Sequence, residues 1–81
     1  MRIRVHFYSY FKDLTGCAQV DEDLASGSTI NDLLKQLHAR FPNLAPLAKS
    51  TLVAVGVEYQ NRHYLIKDKD EVSLFPPVQG G

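Results

Sequence analysis

The chain has 81 residues, enough for one domain around a single core. Hydrophobic residues make up 44% of it, an ordinary globular content, and nine basic residues balance nine acidic ones. That neutrality argues against the cationic field of a nucleic-acid-binding protein, and no apolar run approaches the ~20 residues of a membrane span. The opening Met1-Arg2-Ile3-Arg4-Val5 is an alternating strand pattern broken by charge rather than a signal peptide, so the expected setting is cytoplasmic. A chain this short buries only about 60% of its unfolded surface, which leaves little room for a private active-site cavity. Carrier, binding module or subunit is favoured over stand-alone enzyme.

Arg2 to Tyr8 alternates with period two, predicting a half-buried strand with Ile3, Val5 and Phe7 inward and Arg2, Arg4, His6 and Tyr8 outward. Residues 9–14 suit a short helical turn closed by Gly16. A second strand is expected over 18–24, with apolar Val20 and Leu24 among acids, and Ala25-Ser26-Gly27-Ser28 reads as a turn. The clearest element is a helix beginning near Thr29. Ser28 or Thr29 can cap it, Asp32 complements the dipole of its first turn, and Ile30, Leu33, Leu34, Leu37 and Phe41 form one apolar face. Pro42 stops it, and residues 44–49 suit a second short helical piece. The apolar run 52–57 predicts a strand buried on both faces, followed by a short return strand over 58–66. Lys67-Asp68-Lys69-Asp70 is a charged turn, and Glu71 to Phe75 is the last strand, ended by Pro76 and Pro77. One amphipathic helix covers one face of a small mixed sheet, so the class is α+β with two layers, in the element order of the β-grasp (ubiquitin-like) fold. The expected organisation is a domain over 1–75 and an extended tail over 76–81.

The familiar catalytic patterns do not occur: there is no Gly-rich phosphate loop and no nucleophile elbow. His6, His38 and His63 lack metal-ligand spacing, and the lone Cys17 reads as structural. Asp68 and Asp70 are better explained by a solvated turn than by a metal. The tail carries the chemical signal. Phe75-Pro76-Pro77-Val78-Gln79-Gly80-Gly81 is stiffened by its prolines, which lowers the entropy lost on docking. Two terminal glycines can thread a narrow channel and put no Cβ beside the carbonyl of Gly81. A carboxylate is a poor electrophile and needs activation, for example as an acyl-adenylate, before sulfur can replace the leaving group. The chain has no nucleotide motif of its own, so a partner must supply that step. Alternation in the last strand turns Val72 and Leu74 inward and Phe75 outward. If the first and last strands are neighbours, Tyr8 and Phe75, with His6 beside them, form an exposed patch at the root of the tail.

These segments resemble the sulfur-carrier subunits of molybdopterin synthase (MoaD type), members of the ubiquitin-like sulfur-carrier family. The likeness is carried by Val5-His6-Phe7-Tyr8, Lys12-Asp13-Leu14-Thr15-Gly16, Val53-Ala54-Val55 and above all the closing stretch from Asp70 to Gly81. It implies that an E1-like adenylating enzyme uses ATP to activate Gly81 and that a sulfur-donating protein converts it to a thiocarboxylate. The tail, Gly80 and Gly81 included, then enters the large catalytic subunit of molybdopterin synthase. Sulfur passes there to cyclic pyranopterin monophosphate. The implied assembly is a heterotetramer of two small and two large subunits, with no cofactor bound by the small one and no catalysis by it alone. Phe75, Pro76, Pro77, Val78, Gln79, Tyr8 and His6 are the expected partner contacts. Two departures stand out: Lys12-Asp13-Leu14 replaces a common Arg-Glu-Leu, and Gly56 replaces a common Asn after the third strand. Rival readings are a carrier for thiamine synthesis or tRNA thiolation, a ubiquitin-like protein modifier joined to lysines through Gly81, and a β-grasp binding module with an inert tail.

Overall fold

The computed structural model describes residues 1–77. Its elements are β1 (Arg2–Phe7), α1 (Phe11–Thr15), β2 (Gln19–Asp23), α2 (Ile30–Arg40), a 3-10 segment (Pro42–Ser50), β3 (Leu52–Val55), β4 (Glu58–Tyr59) and β5 (Glu71–Phe75). The strands form one sheet in the order β2-β1-β5-β3-β4. β1 and β5 lie side by side and parallel, and every other pairing is antiparallel. This is the β-grasp arrangement that the element order predicts.

The core forms where the inward residues of the central strands meet the apolar face of α2. Ile3, Val5 and Phe7 of β1, Val72 and Leu74 of β5, and Val53 of β3 are buried with Ile30, Leu33, Leu34 and Leu37. Each such side chain contributes roughly 1.5–3 kcal/mol when fully removed from water. α2 begins in a reciprocal cap. The Asp32 N–H donates to Thr29 Oγ1 at 3.2 Å, and the Thr29 N–H donates to the Asp32 carboxylate at 2.9 Å. The backbone N–H and then the hydroxyl of Thr29 hold the Asp32 carboxyl below its ordinary pKa. Gly16 closes α1 in the left-handed region at φ 76°, where its N–H reaches the Lys12 carbonyl at 2.8 Å.

Three expectations need correction. The run 52–57 is not buried throughout: Val53 and Ala54, on opposite faces of β3, are buried, but Leu52 is 36% exposed and Val57, beyond the strand, is 99% exposed. α2 covers only one side of the sheet, and Val57 sits in the two-residue β3–β4 loop, where Gly56 alone takes a positive φ of 60°. The return strand is only Glu58–Tyr59. Residues 60–66 leave the sheet because α2 needs acceptors for its first N–H groups: Ile30 and Asn31 donate to the carbonyls of Tyr64 and Arg62, both at 3.0 Å. Finally, residues 42–50 form a 3-10 run packed on α1 and α2, longer than the short piece expected over 44–49.

β2 holds a surprise between Val20 and Leu24. Glu22 shares their inward face and is 4% exposed. It pairs with Arg40 and accepts from Gln36 Nε2 at 2.9 Å, tying the edge strand to α2. Among the described residues, no helix is long and apolar enough to cross a membrane.

Candidate docking platform at the root of the tail

Strand alternation and register build this site. In β5, Val72 and Leu74 fill the core, so Ser73 and Phe75 turn to the face that α2 leaves uncovered. The parallel register sets Phe7 against Leu74, and the ladder continues one step further, where the Tyr8 N–H donates to the Leu74 carbonyl at 3.1 Å. Tyr8 therefore lies beside Phe75. Their rings stack with centroids 4.7 Å apart and planes 11° from parallel. Ser9 takes a positive φ of 55° and turns the chain away.

The other flank comes from β3 and β4. Leu52 pairs with Phe75, and Tyr59 pairs with Ala54 across the hairpin. The Tyr59 ring meets Phe75 edge-on at 6.2 Å and 69°. Exposures of 43% for Tyr8 and 69% for Tyr59 show that the platform faces solvent. Phe75 itself is only half-buried, less exposed than alternation alone suggests, because a ring stands on either side of it. Pro76 and Pro77 leave from this point and, with Ser9, Tyr10, Leu52, Tyr59 and Phe75, line a shallow cleft of about 400 Å³. The 3-10 segment contributes nothing to that lining.

Charge takes over along the same face away from the tail. His6 Nε2 lies 2.7 Å from Glu71 Oε1, and its ring centroid is 6.4 Å from that of Tyr8. Beyond it Arg4 pairs with Asp21 and Arg2 with Asp23, each at 3.2 Å. The face thus grades from stacked rings at the tail to exposed ion pairs at the far end. Such pairs contribute little to stability but disfavour partners that are apolar throughout.

Among the described residues, no three His, Cys, Asp or Glu side chains converge as metal ligands would. Asp70 is engaged by the Lys67 N–H at 2.8 Å and the Tyr64 hydroxyl at 3.0 Å, which closes the charged turn. Cys17 is half-buried beside Thr15.

A family model described as the ThiS family matches residues 5–81. The chain belongs to the ThiS family. Among curated relatives it is 33% identical, over 84 residues and the whole of both chains, to the molybdopterin synthase sulfur carrier subunit of Chlamydomonas reinhardtii. Among solved structures it matches SAMP1 from Haloferax volcanii with a TM-score of 0.88 at 22% identity, covering both chains fully. It also matches, with a TM-score of 0.71 at 22% identity and full coverage of both chains, a chain from the complex of subunits 1 and 2 of the molybdopterin-converting factor of Helicobacter pylori 26695.

For this ThiS-family chain the structure brings together Tyr8, Phe75, Pro76 and Pro77 from the sequence-predicted set, with His6 one register step away. Val78, Gln79, Gly80 and Gly81, expected to carry the chemistry, lie outside the described residues. Leu52 and Tyr59 were not foreseen. Their signal was the short hairpin itself: Gly56 and Val57 as a two-residue loop place Tyr59 opposite Ala54, on the uncovered face.

Proposed function

We propose that this chain is the sulfur carrier of a molybdopterin synthase, non-catalytic on its own and working through the carboxylate of Gly81. The observation that carries the reading is the full-length match to a molybdopterin synthase sulfur carrier subunit, in a chain whose tail starts from an exposed aromatic platform. An E1-like adenylating enzyme joins the Gly81 carboxylate to the α-phosphate of ATP, releasing pyrophosphate. The terminal sulfur of a persulfide on a donor protein attacks the acyl carbon and displaces AMP, and a thiol then cleaves the resulting acyl disulfide, leaving a thiocarboxylate and a disulfide. The platform of Tyr8, Tyr59 and Phe75 seats on the large catalytic subunit and aims the tail into its pocket. There sulfur passes to cyclic pyranopterin monophosphate.

Intact mass after incubation with ATP, an E1-like enzyme and a sulfur donor tests the loading step: replacement of oxygen by sulfur adds about 16 Da. Deleting Gly81 retracts the carboxylate by about 3.3–3.6 Å. A misplacement of even 1 Å costs ~100-fold when reacting atoms meet in a fixed pocket. The deletion is therefore expected to abolish sulfur transfer to the pterin yet leave docking intact, so that the variant competes with wild type as an inactive binder. Turnover at the normal rate would overturn the reading. Ladders of conjugates on lysines would instead identify a protein modifier.

A further inference from the structure

The helical layer carries a second feature, remote from the aromatic platform. Lys35 and His38 of α2, Lys49 at the end of the 3-10 segment, and Arg62 from the loop beyond β4 line a cleft of about 240 Å³, with Asn31 and Ala48 between them. No acidic residue lines it. This is uneven sorting in a chain of zero net charge. Arg2, Arg4 and Arg40 each have a carboxylate partner, whereas among the described residues Lys35, Lys49 and Arg62, like Lys12, Lys67 and Lys69 elsewhere, have none within salt-bridge distance; what sets the cleft apart is that three such cations line one depression. Asp32, one turn before Lys35, is committed to the Thr29 cap.

Arg62 is fixed in place. One guanidinium nitrogen donates to the Ala48 carbonyl at 2.9 Å and the Thr51 carbonyl at 2.8 Å, which holds the loop against the end of the 3-10 segment. Burial and the Arg62 charge push the His38 pKa down, so the imidazole stands neutral beside three cations. Phosphate sites at helix starts rely on free backbone N–H groups. Here the N–H groups of Ile30, Asn31 and Asp32 are already bonded to Tyr64, Arg62 and Thr29. The cleft therefore offers side-chain cations on a ridge rather than an amide cradle, which suits spaced carboxylates on a protein surface better than one compact phosphate.

We propose that this cleft is a docking site for the carboxylate-rich surface of a protein partner. It lies in the helical layer, whereas Tyr8, Tyr59 and Phe75 lie on the sheet face that α2 leaves uncovered. A partner held through Lys35, Lys49 and Arg62 leaves the aromatic platform and the tail free for a second protein.

Titration of the isotope-labelled full chain with a hexaglutamate peptide, followed by amide NMR, tests this. Shifts are expected at 31–38, 47–50 and 62, fading as salt rises past about 0.15 M. The His38 pKa is expected to move up as bound carboxylates offset Arg62. The double variant K35E/K49E, altering two exposed side chains, is expected to bind the peptide about tenfold more weakly or less, with an unchanged melting temperature. K67E/K69E, which reverses lysines outside the cleft, is expected to bind like wild type. Equal losses from both double variants, or no localised shifts, would overturn the proposal. The same localised shifts with inorganic phosphate at equal concentration would also overturn it, assigning the cleft to small anions. None of these readouts involves Gly81, so the outcome stands apart from the reading of the tail.

Discussion

Tyr59 and Phe75 share the platform but differ in their debt to the free domain. Tyr59 is mostly exposed, so Tyr59→Ala is expected to change stability by no more than about 0.5 kcal/mol while weakening binding to the large subunit about tenfold or more. Phe75 stands between two rings, and each aromatic pair contributes about 0.5–1.5 kcal/mol. Phe75→Ala is therefore expected to lower both affinity and melting temperature. Calorimetric binding beside thermal melts separates the two effects, and unchanged affinity in both variants would remove the platform's role. Glu22 marks where single-residue reading fails. Nothing in the sequence singles it out among the acids of β2; its burial depends on Arg40 and Gln36, fourteen or more residues away. Glu22→Ala is expected to cost about 1–3 kcal/mol by removing the charge-assisted bonds that tie β2 to α2, although Gln36 and Arg40 keep the Asp23 and Asp21 carbonyls as acceptors; chemical denaturation would measure the loss.

The elements differ in how openly the sequence declares them. α2 was legible because its stripe, its cap and its stop at Pro42 are all local, and Thr29→Ala is expected to cost about 1 kcal/mol. Its cap and His38 also make stability depend on pH. The Asp32 carboxyl has a folded pKa below the ordinary 3.8, so its contribution is complete above that value and lost as pH falls through the lower folded one. His38 has a folded pKa below the ordinary 6.5, so the unfolded chain takes up its proton first, and stability begins to fall below about 6.5. Thermal melts across this range should show two acid losses, the lower removed by Asp32→Asn and the upper by His38→Gln. A single loss unaffected by either substitution would contradict this. Residues 60–66 were not legible, since their path is set by the demand of another element's N–H groups rather than by any pattern of their own.

Across the whole molecule, the β-grasp order follows from counting one amphipathic helix among strands, and the Tyr8–Phe75 pair follows once β1 and β5 are neighbours, whereas the Tyr59 and Leu52 flank does not. What pattern alone does not reveal is a surface assembled by crossing connections, such as the cationic cleft drawn from three separate segments. The central pairing of β1 with β5 also carries a consequence for synthesis. Residues 2–7 can pair with β2 early, but they find their second, parallel neighbour only when residues 71–75 have been made, the kind of long-range closure that slows folding. Until then β1 presents an open edge, and β3 lacks its main neighbour. A chain stopped before Glu71 is expected to show no dispersed amide spectrum, because Val72 and Leu74 are missing from the core. Premature products shorter than the last strand thus eliminate themselves by failing to fold. Products clipped beyond Phe75 keep Tyr8, Tyr59 and Phe75, so under the function proposed above they are expected to occupy a partner, less tightly than the full tail does, while delivering no sulfur.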